Sequence, residues 1–207
     1  MNNTNGLIAE QSKKKIAEAM LKVMNTYDYK EITVTQITQE SRISRKTFYR
    51  HFRDKDEVLK HLFDSLYQEC LSSIKESGIH HYWDVVQCFF DFWEKHAETL
   101  NLMKRSNLLP QLFEESYDRS FEVFRSVRTA DIADRYRDQL PYLLAYSIGG
   151  MNSMLIKWIE GGMSISSSTL ILCLREGFSS EYHPDPNEPK GEQMDLDDQF
   201  PAKVITV

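Results

Sequence analysis

The 207 residues are 41% hydrophobic and 27% charged, which excludes a wholly disordered chain. Eight Gly and six Pro are too few for a turn-rich all-β fold, and three widely spaced cysteines (Cys70, Cys88, Cys173) form neither a disulfide framework nor a zinc pattern. The net charge of -6 is uneven: residues 1–60 carry 12 Lys/Arg against 8 Asp/Glu, residues 61–180 carry 11 against 16, and residues 181–207 carry 2 against 7. A basic first segment on an acidic body is the pattern expected when only one part meets phosphate.

The opening residues are polar and lack the apolar core of a secretory signal. With the cysteine usage, they set the expectation of a cytoplasmic protein. Ile16, Met20, Val23 and Met24 then fall on one face of a first helix, which ends at the polar stretch from Asn25 to Tyr29.

Three helix starts follow closely. Thr33-Val34-Thr35-Gln36 is a capping box, stapled by Ile32 and Ile37. Ser44 caps a second short helix, with Ile43 and Phe48 as its staple. Asp54-Lys55-Asp56-Glu57 is a third box and opens a longer helix running to about Ile74. Two short helices a few residues apart make a helix-turn-helix, with longer helices to cover its inner face.

The body continues as helices over 81–104, 108–127, 139–160 and 166–180. Residues 139–156 carry no charge, but Gln139, Pro141, Ser147, Gly149, Gly150, Asn152 and Ser153 argue for a buried helix in a soluble protein, not a membrane span. Gly161-Gly162 stops that helix. Beyond His183 the chain is acidic and Pro-rich, the composition of a disordered tail, with a short strand conceivable at Lys203–Val207.

The run IAEAMLKVMNTYDYKEITVTQITQESRISRKTFYRHFRDKDEVLKHL, residues 16–62, resembles the DNA-binding domain of TetR-family transcriptional regulators. The T-V-x-x-I start of helix two, the S-x-x-T-F-Y-x-H-F recognition helix and the D-K-D-E start of helix four carry the likeness. The chain departs from the family at Arg42, where a Gly usually makes the turn, and at Lys46, where a small residue is usual. A left-handed turn suits Gly better than Arg; Lys46 adds charge where the helix would face DNA.

The resemblance implies an all-α fold. A three-helix helix-turn-helix DNA-binding domain (1–53) joins a helical effector-binding and dimerisation domain (54–182), followed by the acidic tail (183–207). It further implies a homodimeric repressor on a palindromic DNA operator, released by a small apolar or aromatic effector, with no cofactor, metal or membrane. A coactivator of the same fold, working through partner proteins, is the alternative.

The candidate DNA-binding residues are Thr33, Thr35, Arg42, Ser44, Arg45, Lys46, Thr47, Tyr49, Arg50, His51 and Lys55. Arg45 and Lys46 can reach guanine O6/N7, and the Thr47 methyl can meet a thymine methyl. Thr33 and Thr35 open helix two and can donate to phosphate. Tyr49, His51 and Lys55 match phosphate-contacting positions of the family; from the residues alone, Tyr49 reads equally as packing and His51 as surface.

The family also suggests an effector pocket at Phe89, Phe90, Trp93, Tyr117 and Phe121. It suggests a dimer interface at Ile148, Met151, Leu155, Leu170 and Leu174. His80-His81 and Ser72-Ser-Ile-Lys75 lack the companions that a metal site or an acyl enzyme needs, and no nucleophile–base pair suggests an enzyme.

Overall fold

The computed structural model describes residues 2–78, 81–114, 119 and 138–179. The described residues are helical, without strands: α1 (Asn2–Met24), a 3-10 turn (Tyr29–Glu31), α2 (Val34–Ser41), α3 (Arg45–His51), α4 (Lys55–Glu76), α5 (Tyr82–Lys95), α6 (Ala97–Arg105), α7 (Leu140–Glu160) and α8 (Ser167–Ser179). Residues 109–114 are helical as well. None of the described helices is long and apolar enough to cross a membrane. The tail 183–207, with its suggested strand, and most of the helix expected over 108–127 lie outside the described residues.

The chain forms two compact units. The first comprises residues 1–69 and 97–115. Its core gathers Ile16 and Met20 of α1, Ile37 of α2, Phe48 of α3, Val58 of α4 and Leu100 and Met103 of α6, all sealed from solvent. These come from the one-face spacing of each helix, so apolar burial drives the assembly. Arg105 of α6 donates to the Asn25 side chain at 3.0 Å, tying α6 to the end of α1.

The second unit holds residues 70–96 and 116–207. Phe90 of α5 packs edge-on against Trp158 of α7 at 5.7 Å. Buried Ser167, at the start of α8, donates to the carboxylate of Asp91 at 2.6 Å. Its backbone N–H donates to Glu94 at 3.2 Å, so two acids of α5 meet the positive end of α8.

The helix expected over 81–104 is two helices. Trp93 and Ala97 stand four apart, so the apolar pattern runs across the junction. The backbone nevertheless turns at His96 (φ -101°, ψ 24°), whose ring lies 4.4 Å from that of Phe92, tilted by 39°. The helix over 139–160 appears as α7, but it is not buried all round: Tyr142, Leu143 and Tyr146 are exposed.

Candidate nucleic-acid interface

Local chemistry sets each end of the helix-turn-helix. Thr33 Oγ1 accepts from the Gln36 N–H at 3.3 Å, while Gln36 Oε1 accepts from the Thr33 N–H at 2.7 Å, closing the capping box. At the turn, Arg42 adopts φ 55°, ψ 33°, left-handed backbone held by a non-glycine residue. Its N–H reaches the Gln39 carbonyl at 3.3 Å, and the Ile43 N–H reaches that of Thr38 at 3.2 Å. The unpaired carbonyls ending α2 are thus satisfied within the turn.

Ser44 Oγ accepts from the Thr47 N–H at 3.1 Å and donates to Thr47 Oγ1 at 3.0 Å. This cap starts α3 and splits its faces. Phe48 and, just past the helix, Phe52 point into the core. Arg45, Lys46, Tyr49 and Arg50 stand in solvent. The Arg45 guanidinium lies 6.0 Å from the Tyr49 ring centre, the outer edge of a cation–π contact. Arg42, Arg45, Lys46 and Arg50 have no carboxylate within 4.0 Å among the described residues, so their charge is not neutralised from within.

Several expected phosphate donors have other work. The Thr33 hydroxyl is held by Gln36. His51 is half-buried, and its Nε2 is buried without a hydrogen-bond partner, so that nitrogen is not presented outward. Burial, then the charges of Arg50 and Lys13, hold its pKa below the ordinary imidazole value.

Lys55 is the largest correction. Its ammonium donates to the carbonyls of Tyr29, Lys30 and Ile32 at 2.6, 2.9 and 3.0 Å. An ammonium has three protons, so none is left for a phosphate in this arrangement. The third capping box is also altered. Asp54 accepts from the Glu57 N–H at 2.9 Å as expected, but Glu57 reaches back to the N–H of Arg53, at 2.6 Å, rather than to the cap. What the motif conceals is the neighbouring pair, Tyr29 and Asp56, joined through the Tyr29 hydroxyl. Those partners lie 27 residues apart, so no local spacing signals them.

In the second unit, Phe90 and Trp93 are buried and Phe89 is half-buried, its ring 5.3 Å from Phe90 and 6.4 Å from Trp93. These rings pack on one another. Tyr117 and Phe121 lie outside the described residues. A groove of about 420 Å³ instead lies among Met154, Trp158, Ile165, Leu170 and Leu174, with Lys157 at its side. Of the expected pocket residues that are described, Phe89, Phe90 and Trp93 do not line it. Of the expected interface residues, Leu155 and Ile148 are buried within their own chain, and Met151, Leu170 and Leu174 are half-buried. Leu155 and Ile148 are therefore core residues rather than surface for a second subunit.

An α3 capped by serine, packed through Phe48 and presenting bare cations outward, defines a helix-turn-helix domain of the DNA-binding class. Residues 16–62 match the family described as bacterial regulatory proteins, tetR family. Over that segment, less than a quarter of its length, the chain is similar to the tetR family. Over 61 residues it is 33% identical to the HTH-type dhaKLM operon transcriptional activator DhaS of Lactococcus lactis subsp. lactis (strain IL1403). That stretch is 30% of this chain and 33% of the relative, so the match spans about a third of the relative's length. The fold is similar to that of a TetR transcriptional regulator from Streptococcus agalactiae 2603V, with a TM-score of 0.53 and 16% identity, covering 84% of this chain and 96% of that one.

Proposed function

We propose that the protein is a sequence-specific DNA-binding transcription regulator that acts as a homodimer on a palindromic operator. One observation carries this: α3 buries Phe48 and turns Arg45, Lys46, Tyr49 and Arg50, none of them engaged by a carboxylate among the described residues, to the outside. A helix of this kind enters the major groove with its N-terminal residues on base edges. Arg45 and Lys46, at that end, read bases. Thr35, Arg42 and Arg50 hold phosphates around them. No catalytic group is needed.

Repression follows most simply, because a dimer seated on a promoter blocks it without further contacts. DhaS carries the word activator in its name, but its match covers 61 residues, a third of its length, and a DNA-binding helix serves either sense. An apolar or aromatic effector fits the groove beside Trp158 better than the closed ring stack at Phe90.

Selection of genomic fragments with the purified protein, followed by footprinting, tests the reading. An imperfect palindrome with half-sites one helical turn apart, or a related spacing, is expected. Arg45→Ala or Lys46→Ala should relax base preference at one position per half-site, by about 1–3 kcal/mol. Failure to enrich any sequence would overturn DNA recognition.

A further inference from the structure

Lys55 opens α4, yet its ammonium is spent on the connection between α1 and α2. Three carbonyl oxygens, from Tyr29, Lys30 and Ile32, converge on it within 3.0 Å. The ammonium also stands 4.8 Å from the centre of the Tyr29 ring. One residue further on, Asp56 accepts from the Tyr29 hydroxyl. Burial first, and then Asp56, raise the Tyr29 pKa far above its ordinary value, so the phenol stays protonated and keeps donating. Two successive residues of α4 thus grip one turn, Lys55 at its backbone carbonyls and Asp56 at the hydroxyl of its first residue, Tyr29. The last gripped carbonyl, Ile32, is adjacent to Thr33, the N-cap of α2.

We infer that Lys55 and Asp56 form a latch that sets where α2 begins relative to α4, making Lys55 a positioning residue for DNA binding rather than a phosphate donor. The inference rests on the DNA-binding reading for its consequence but not for its structure. The α2 start carries exposed Thr35 and backs α3 through the buried side chains of Ile37 and Phe48. If the turn from Tyr29 to Ile32 slackens, the whole helix-turn-helix loses its fixed approach to the groove. A small misplacement of donors weakens every contact they make, whatever the base sequence.

Three full-length variants test this. Lys55→Met keeps the stem and removes the charge. Lys55→Arg keeps the charge but supplies a flat fork that does not fit three converging carbonyls. Tyr29→Phe removes only the grip of Asp56. Amide hydrogen exchange of the free protein and salt-dependent binding to a mixed-sequence duplex are measured for each.

The latch requires the Glu31 and Ile32 amides to exchange several-fold faster in all three variants, with the middle of α4 unchanged. Affinity should fall while the slope of log K against log salt stays at the wild-type value. A phosphate donor behaves differently. Losing one lowers the slope by about one per contact, and Lys55→Arg restores binding. A reduced slope with unchanged exchange, or rescue by Lys55→Arg, overturns the inference. If Lys55→Met does not fold, Tyr29→Phe decides by the same two readouts, since it touches neither the charge nor the stem. If the wild-type protein binds no duplex, the functional reading fails, and the exchange data alone decide the latch.

Discussion

The rings of Phe48 and Tyr49 meet edge to face at 5.4 Å, yet Phe48 is fully buried and Tyr49 is 50% exposed. Neighbours on one short helix thus divide its two duties between them. Phe48 anchors α3 to the core; Tyr49 stands outside beside Arg45. Phe48→Ala should cost about 3–5 kcal/mol through the cavity it leaves. Tyr49→Ala should change stability by about 1 kcal/mol or less, mainly through the lost ring contact. It should still weaken DNA binding. Thermal unfolding and gel shift on both variants separate these roles; a stability loss for Tyr49→Ala equal to that of Phe48→Ala would show that Tyr49 is core.

The turn between α2 and α3 holds a second test. Arg42 keeps a left-handed backbone that a side chain disfavours by roughly 1–2 kcal/mol. Its side chain is exposed and has no acidic partner among the described residues. Arg42→Gly relieves the strain but adds freedom to the unfolded chain, so the net gain should be about 0.5–1 kcal/mol. The melting temperature should rise. DNA affinity should fall if the guanidinium holds a phosphate, so stability and binding should move in opposite directions.

Local chemistry was the legible part of this fold. Thr33 with Gln36, Ser44, and Gly161 with Gly162 each mark a helix end within a few residues, and the structure places those ends accordingly. The charge bared on α3 could likewise be read from Arg45, Lys46 and Arg50 once Phe48 was assigned inward. Lys55 could not be read, because its carbonyl partners lie 23 to 26 residues away and nothing in a capping box reports them. The turn at His96 was hidden by apolar spacing that continues across it. On α7 the difficulty is abundance. Apolar residues occur on every side, so periodicity does not say whether Leu155 or Tyr146 faces the core.

A pH dependence follows from the two histidines near α1. Burial, then Lys13, depress the His61 pKa, as burial, Arg50 and Lys13 depress that of His51. Glu10 opposes the shift at both, and Asp64 opposes it at His61. In the unfolded chain each imidazole titrates near 6.5. Above that pH both states are neutral, and these groups do not affect stability. Below it the unfolded state takes up protons first, so stability should decline as pH falls from about 6.5 toward the folded values. Urea unfolding across this range, repeated with the double variant His51→Gln and His61→Gln, should show a shallower decline in the variant. An unchanged pH profile would assign the decline to other groups.

The proposed homodimer is best tested on α7, where the exposed side differs from the one the family resemblance suggests. Tyr142, Tyr146, Gly149, Gly150 and Ser153 recur at helical spacing along an exposed stripe, and α8 adds exposed Leu172 and Cys173. A Cβ placed on Gly149 or Gly150 would meet nothing within 4 Å in its own chain, so intramolecular packing does not demand glycine there. Two glycines inside a helix cost about 1 kcal/mol each relative to alanine, and a close approach by a second subunit gives a reason for them. Gly150→Glu should therefore be tolerated by the isolated chain, and should even favour its helix. Across a two-fold interface it would place two bulky charges in contact, and operator binding would be lost with the dimer. Leu155→Asp serves as the contrast: it buries a charge inside one chain, costs several kcal/mol, and should unfold the second unit instead of splitting a folded dimer. Sedimentation and circular dichroism distinguish the two outcomes. A Gly150→Glu protein that stays helical and sediments as a monomer supports an interface on this stripe, whereas one that remains dimeric at the wild-type strength places the interface elsewhere.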